Sequence, residues 1–386
     1  METIVVKIGS QLLTSKQHQL NQGMIEGIAA QVSDLLKEGK HVVMVSSGAV
    51  ASGRSVPLLA GLFSLSSDQQ DPDLLREQIL AAVGQPRLMR AYKNEFGRRK
   101  IVTAEILVTR ADFADRDRYI SLRTVVQNLI NLGIVPIFNE NDVLSTEELD
   151  FSDNDHLACM VGAMIDADLL LSLTDVPGLL DRHPDEEGAK LIEEVEDPKS
   201  FRSLASFSNK NKGVLGKGGM LSKLEAASLI TELGIPMRIA SGYEDNVITR
   251  IVLGNEKLGT YFPAKEKRLS RKKIWIRTGA ATTGKIVVST YLADLLRKKH
   301  VASILLHGVE SLGNEEKNSE KQEIFKKGDV VEVVDTDNIV LGKGQIKMDA
   351  EELRIKVKEQ HVRNVAGTRT AGGEKIVIHY DYFVFS

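Results

Sequence analysis

Val42-Val43-Met44-Val45-Ser46-Ser47-Gly48-Ala49 is the stretch on which the fold turns. Its first half is a short, continuous apolar run, the pattern of a parallel strand buried on both faces. Its second half switches to small hydroxyl residues and glycine, which predicts a tight turn opening onto a helix. Just upstream, Ile25, Ile28, Ala29, Val32, Leu35 and Leu36 recur at helical spacing within 24–37, and Gly39 closes that helix. Further back, Ile4-Val5-Val6-Lys7 is a strand that ends in a Gly9-Ser10 turn. Strand, helix and strand in immediate succession make a parallel βαβ unit.

The alternation continues downstream. Helices are predicted at 74–96, 119–131, 156–165 and 223–233, with strands at 101–108, 135–138, 169–173 and 237–240. Such a chain folds as a three-layer α/β sandwich around a mainly parallel sheet. The pattern stops near Phe262. Residues 263–273 hold six basic residues and one acidic, without apolar periodicity, and read as a basic linker. Beyond it, short apolar or alternating runs at 273–276, 285–288, 330–334, 338–341 and 376–379 are separated by Gly279, Gly284, Gly328, Gly342 and Gly344. These predict a small, mainly β domain, with 314–321 as an exposed charged loop. The expected division is a first domain at 1–262, the linker at 263–273 and a second domain at 274–386.

Composition narrows the class. The 386 residues are 42% hydrophobic and 27% charged, ordinary values for a soluble globular chain. No apolar run approaches the roughly 18 residues that span a bilayer, and the N-terminus lacks the pattern of a signal peptide. The single cysteine, Cys159, excludes an internal disulfide and fits a reducing compartment, so a cytoplasmic location is expected. From Lys265 onward there are 23 Lys and Arg against 17 Asp and Glu, whereas the preceding residues carry 27 against 36. Two domains with differently charged surfaces account for that asymmetry.

In an open α/β sheet, ligands bind beyond the carboxyl ends of the strands. The first strand delivers Lys7-Ile8-Gly9-Ser10 there, and the second Ser46-Ser47-Gly48-Ala49. The fourth delivers Asn139-Glu140-Asn141-Asp142, followed by Asp153-Asn154-Asp155; the fifth delivers Thr174-Asp175 and, a little further on, Gly178. Any one cluster is ordinary turn composition; four at one sheet edge argue for a binding site. Gly216-Lys217-Gly218-Gly219-Met220 leads into the helix bearing Lys223, and its glycines and cations suit a polyphosphate. The first domain contains no Walker A sequence. Gly279 to Lys285 has the glycine spacing of one, but Ile286 replaces the required Ser or Thr, and the segment reads as a turn between strands. Cys159 and His156 have no metal-ligand spacing with other such residues, so no protein metal site is expected.

In this order the clusters resemble the amino-acid kinase superfamily, and specifically its glutamate-phosphorylating branch. Leu80-Ala81-Ala82-Val83-Gly84-Gln85, Leu107-Val108-Thr109-Arg110-Ala111-Asp112 and Gly218-Gly219-Met220-Leu221-Ser222-Lys223 complete the match. The second domain resembles a PUA domain, most closely at Phe325-Lys326-Lys327-Gly328-Asp329 and Leu341-Gly342-Lys343-Gly344. The resemblance implies the amino-acid kinase fold and transfer of the ATP γ-phosphoryl group, with Mg²⁺, to the side-chain carboxylate of L-glutamate, opening proline synthesis. It implies Lys7 and Lys223 as catalytic cations held by Asp155. Ser47, Gly48, Asp142 and Asn154 match glutamate-binding positions. Gly9, Ser10, Thr174, Asp175, Gly178, Lys217, Gly218, Gly219, Met220, Ser222 and Lys223 match nucleotide contacts. It also implies feedback inhibition by proline and a homo-oligomer.

Lys217 stands where the family carries a small hydroxyl residue, and the connector 54–76 is longer than usual. Ser289-Thr290-Tyr291-Leu292 replaces the acidic-Gly-Ala pattern of PUA domains, which bears on RNA binding through that domain. Two alternatives remain open at this stage. One is a kinase of the same superfamily acting on aspartate, acetylglutamate, carbamate or uridylate. The other is a non-catalytic, RNA-binding metabolite sensor.

Overall fold

The computed structural model describes residues 2–15, 19–59, 72–144, 154–182, 186, 188–201, 219–265, 269–300, 303–313, 325–365 and 375–385. Several of the sequence expectations fall on positions outside these residues: Gly216, Lys217, Gly218, Asp153, the middle of the 54–76 connector and the 314–321 loop. The chain divides into two units, Met1–Phe113 with Asp117–Arg268, and Ala114–Arg116 with Leu269–Ser386.

The elements of the first unit are β1 (Thr3–Ile8), α1 (Ser10–Leu13), α2 (Gln22–Lys37), β2 (His41–Ser46), α3 (Ala49–Arg54), α4 (Pro72–Arg98), β3 (Thr103–Val108), α5 (Arg110–Ala114), α6 (Arg116–Asn131), β4 (Val135–Glu140), α7 (Asn154–Ile165), β5 (Leu169–Thr174), α8 (Met220–Glu232), β6 (Met237–Ser241), α9 (Val247–Val252) and β7 (Thr260–Phe262). They build a seven-stranded sheet in the order β3-β4-β2-β1-β5-β6-β7. Every pairing is parallel except that of β7 with β6. The expected α/β sandwich around a mainly parallel sheet is therefore present, with one antiparallel strand at its edge.

Alternate side chains of β1 point to opposite faces, as the period of a strand requires. Ile4, Val6 and Ile8 join one core with Leu12, Leu13, Ile25, Ile28, Val32, Leu88, Tyr92, Phe96 and Ile248. Helices α1, α2, α4 and α9 cover that face. On the opposite face Val5 meets Gly162 of α7, which also lies against Ile230 of α8. After β1 the chain moves to β2 on one side, and later to β5 on the other. The switch point of the sheet thus lies between β1 and β5, and a crevice opens beyond their carboxyl ends.

The differences from the sequence reading are local. Strand β4 runs to Glu140, so Asn139 and Glu140 close the strand rather than follow it. Helix α7 starts at Asn154, not at His156, which puts Asp155 in its first turn.

The second unit comprises α10 (Arg271–Thr278), β8 (Thr282–Val288), α11 (Thr290–Arg297), β9 (Ile304–Leu305), β10 (Val309–Leu312), β11 (Val330–Val334), β12 (Val340–Ile346), α12 (Ala350–Val365) and β13 (Ile376–Phe385). Its sheet has the order β10-β8-β11-β12-β13-β9, around Ile286, Val288, Val331, Val333, Leu353 and Phe383. The strand-rich character agrees with expectation, but 273–276 is helical. Ile274, Trp275 and Ile276 are all buried, and an apolar triplet alone does not distinguish strand from helix. Ser270 decides it, accepting the Lys273 N–H as a helix N-cap. The 263–273 segment therefore ends inside a helix. The Gly279–Lys285 segment joins that helix to β8 rather than linking two strands, and Gly284 lies within β8. Helices α11 and α12 had no counterpart in the sequence reading; α11 is capped by Ser289, which accepts from Leu292 N.

Candidate active site

At the carboxyl edge of the first sheet, β1 places Lys7 beside Ser172 of β5 in parallel register. Both are buried and lie among mostly apolar strand residues. Asp155, in the first turn of α7, fills the space next to them. Its Oδ1 lies 2.8 Å from Lys7 Nζ and accepts the Ser172 hydroxyl at 3.0 Å, while Oδ2 lies 2.9 Å from Lys223 Nζ. The Asp155 side chain is 1% exposed and the two lysines 5% and 7%.

Three charged groups this deeply buried persist only when paired. Burial pushes the Asp155 carboxyl up, but the Lys7 and Lys223 ammoniums override burial and hold it well below the usual carboxylate range. The first-turn position on α7 favours a carboxylate as well. Lys223 stands in the first turn of α8, where the helix dipole disfavours a cation, and the Asp155 contact offsets that. The cluster carries one net positive charge inside the sheet edge. It can bind an anion there without assembling cations from solvent.

Beside this cluster, α7 also supplies Asn154. Its Nδ2 donates to Ser47 Oγ at 2.7 Å, Asn139 Oδ1 at 3.1 Å and Ser46 O at 3.3 Å. Its Oδ1 is buried without a hydrogen-bond partner among the described residues. Gly48 caps α3 with φ of 105°, a left-handed conformation that glycine adopts at little cost. The Ser46-Ser47-Gly48 turn is anchored from beneath by the buried Tyr92, whose hydroxyl is 3.0 Å from Ser46 Oγ. Helix α4 holds this turn by close backbone approach: a Cβ on Gly84 would stand 1.9 Å from Ala49 O, and one on Gly53 2.0 Å from Leu80 O. The Leu80–Gln85 stretch therefore locks the helix that carries the turn.

On the other side of Lys7, Gly9 N donates to Leu173 O at 3.0 Å, and Ser10 opens α1. Thr174 closes β5 and donates to Asp175 Oδ1 at 3.0 Å. The segment that follows is pinned by Thr260, which is fully buried. Its hydroxyl accepts Leu179 N at 2.8 Å and donates to Ile192 O at 2.7 Å. Gly219, Met220 and Ser222 lie at the start of α8, and Asp142 in the turn after β4.

Ser172, Asn139 and Gln85, like Tyr92 and Thr260, had no assigned role in the sequence reading. Ser172 had a signal, being the one polar residue within the apolar run of β5, directly opposite Lys7. Asn139 and Gln85 sat inside quoted motifs, but their partnership spans two distant elements. Cys159 is buried, with Sγ 3.2 Å from Ala226 O. No group of three or more His, Cys, Asp or Glu among the described residues is placed to hold a metal.

An open parallel sheet with a buried cationic pair at its switch point defines an anion-binding α/β protein. Comparison with known proteins is specific: the model of the amino acid kinase family matches residues 2–241. A glutamate 5-kinase of a Marinomonas species is 35% identical over 384 residues, covering 99% of this chain and 97% of that one. One from a Thermoanaerobacter species is 34% identical over 383 residues, covering 98% and 94%. A third, from Dictyoglomus thermophilum, is 36% identical over 367 residues, covering 94% and 93%. The chain belongs to the amino acid kinase family, within its glutamate 5-kinase group. No helix among the described residues is long and apolar enough to cross a membrane.

Proposed function

We propose that this chain transfers the γ-phosphoryl group of ATP to the side-chain carboxylate of L-glutamate, forming γ-glutamyl 5-phosphate and ADP at the start of proline biosynthesis. The observation that carries the reading is the Lys7–Asp155–Lys223 cluster at the carboxyl edge of the sheet. A carboxylate attacking a polyanionic nucleotide is opposed mainly by charge repulsion. Phosphoryl transfer therefore depends on positioning and on neutralising the transferring oxygens. Lys7 and Lys223 supply that charge, and Asp155 holds both in place. A carboxylate acceptor is already deprotonated at neutral pH, so no general base is needed.

In this reading Ser47, Gly48, Asp142 and Asn154 bind glutamate. Gly9, Ser10, Thr174, Asp175, Gly178, Gly219, Met220, Ser222 and Lys223 bind the nucleotide, together with Lys217 and Gly218, which lie outside the described residues. The donor set fits a Mg²⁺ ion carried by the phosphates rather than by a protein cage, because Asp155 is already shared by two lysines. When bound, such an ion would supply positive charge to the nucleotide phosphates. The second unit is proposed to be a PUA-like domain.

The test is to incubate the protein with ATP, Mg²⁺, L-glutamate and hydroxylamine and to measure γ-glutamyl hydroxamate and ADP. Stoichiometric formation of both is expected. Turnover of aspartate, acetylglutamate, carbamate or uridylate with none of glutamate overturns the reading. Lys7→Ala and Lys223→Ala should each lower turnover by at least about a hundredfold, the scale of losing a preorganised charge-stabilising donor.

A further inference from the structure

Asn154 and Ser47 are the inner end of a longer line of hydrogen bonds that leaves the site and reaches the edge of the sheet. Asn139 Nδ2 donates to Gln85 Oε1 at 2.8 Å, and Gln85 Nε2 donates to Glu105 Oε1 at 2.7 Å. Asn139 and Gln85 are buried, at 3% and 8% exposure. Glu105 lies on the edge strand β3 and is exposed. The line thus runs from Glu105 through Gln85, Asn139 and Asn154 to Ser47, across β3, α4, β4, α7 and the turn after β2.

A side-chain amide has a donor end and an acceptor end of the same shape, so packing alone does not choose its orientation. Groups that can only accept or only donate do choose. The Glu105 carboxylate only accepts, which turns the Gln85 NH₂ outward and its carbonyl toward Asn139. The Glu140 N–H donates to Asn139 Oδ1 at 3.0 Å, which fixes Asn139 in the matching sense. Asn139 Oδ1 and the Ser46 carbonyl then require the Asn154 NH₂ on their side.

This ordering has two effects at the inner end. Ser47 Oγ accepts a hydrogen from Asn154, so its own hydroxyl hydrogen is left to donate elsewhere. Asn154 Oδ1 is not used by the line and is buried without a hydrogen-bond partner among the described residues. A hydroxyl donor next to a bare carbonyl acceptor matches the carboxylate and ammonium groups of an amino acid. With the amides reversed, Ser47 would spend its hydrogen on Asn154 and turn lone pairs toward the substrate carboxylate.

We infer that Glu105 and Gln85 are positioning residues that, together with the Glu140 N–H and the Ser46 carbonyl, hold the proton polarity of this line and so make the Ser47–Asn154 pair selective for an amino acid. The inference rests on the proposed reading that glutamate is the acceptor bound there.

Exchange of the two residues gives the test. Glu105→Gln removes the accept-only end, and Gln85→Glu sets two carboxylates against each other. The combined Glu105→Gln, Gln85→Glu protein restores a donor facing an acceptor-only group, and that group still accepts from Asn139. Steady-state KM for glutamate, KM for ATP and kcat are measured on all four proteins, with thermal melting as a check of folding. Each single variant should raise KM for glutamate by about 5–10-fold, the scale of one neutral hydrogen bond. KM for ATP and kcat should stay within about twofold, and the exchanged pair should return KM for glutamate to within about twofold of the parent. An unchanged KM in both singles overturns the inference, as does an exchanged pair no better than the worse single. If a single variant fails to fold, the exchanged pair decides alone: a KM near the parent value supports the inference and a raised one defeats it. Absence of glutamate turnover in the parent protein would instead defeat the functional reading, so the two failures are distinguishable.

Discussion

Lys7 and Lys223 meet through one carboxylate: their ammonium groups lie 2.8 Å and 2.9 Å from different oxygens of Asp155. One comes from the central strand β1 and the other from helix α8, far apart in the chain, so the fold must be complete before the pair exists. Without Asp155, two like charges would be buried together.

Asp155→Asn should therefore damage stability and activity together. Breaking a buried ion pair by removing one partner costs about 3–5 kcal/mol, and turnover should fall at least about a hundredfold as the lysines lose their common anchor. Urea unfolding and ADP release measure the two effects. A variant of near-parent stability would show that the three groups do not form an interdependent buried network.

The same carboxylate gives a pH signature. Its folded pKa is depressed by Lys7 and Lys223 despite burial, while an unfolded aspartate titrates near about 3.9. A depressed folded value means that the stabilisation is fully present above the unfolded pKa and is lost as pH falls toward the folded one. The stability gap between the parent and Asp155→Asn should be constant from about pH 6 to 8 and should narrow steadily below about pH 4. Unfolding curves at pH 7, 5, 4 and 3 check this; a gap as wide at pH 3 as at pH 7 contradicts it.

Two glycines of α4 should respond oppositely to alanine. At Gly84 a Cβ would collide with Ala49 O, whereas at Gly97 nothing lies within 4 Å. Gly84→Ala should destabilise by about 1–3 kcal/mol or more through overpacking and raise KM for glutamate by displacing the Ser47–Gly48 turn. Gly97→Ala should stabilise by about 0.4–1 kcal/mol through lower unfolded-state entropy. Chemical denaturation of both variants decides the point.

Thr260→Val keeps the shape of the side chain but leaves the Leu179 N–H and the Ile192 carbonyl without their shared partner. An unsatisfied buried donor costs about 1–3 kcal/mol. KM for ATP should rise while KM for glutamate holds, and Thr260→Ser should recover most of the loss. Equal changes in both KM values would mean that Thr260 does not act through the segment beside Thr174 and Asp175.

Much of the first unit was legible because its information is local. A parallel strand buried on both faces is an apolar run, and a helix shows its period, so β1, β2, β5, α2 and α8 announce themselves. Lys7 and Asp155 also stood out, being charged residues abutting apolar elements. Asn139 and Gln85 were visible only as members of motifs. The second unit was less readable: Ile274-Trp275-Ile276 looks the same as strand or helix until Ser270 caps it. Ser289 likewise marks the start of α11 only once its side chain is seen to accept from Leu292 N.

The sequence by itself determined the α/β alternation, the parallel sheet and the polar clusters that its strands deliver to one edge, because each depends on neighbours within a few residues. Only the tertiary structure decided that Ser172 would share Asp155 with two lysines, that Gly53 and Gly84 would let two helices touch backbone to backbone, and that Glu105 would stand at the end of the line to Ser47. Those are contacts between residues far apart in the chain. Which donor meets which acceptor there is set by strand order, register and helix crossing, and none of these is written in local periodicity.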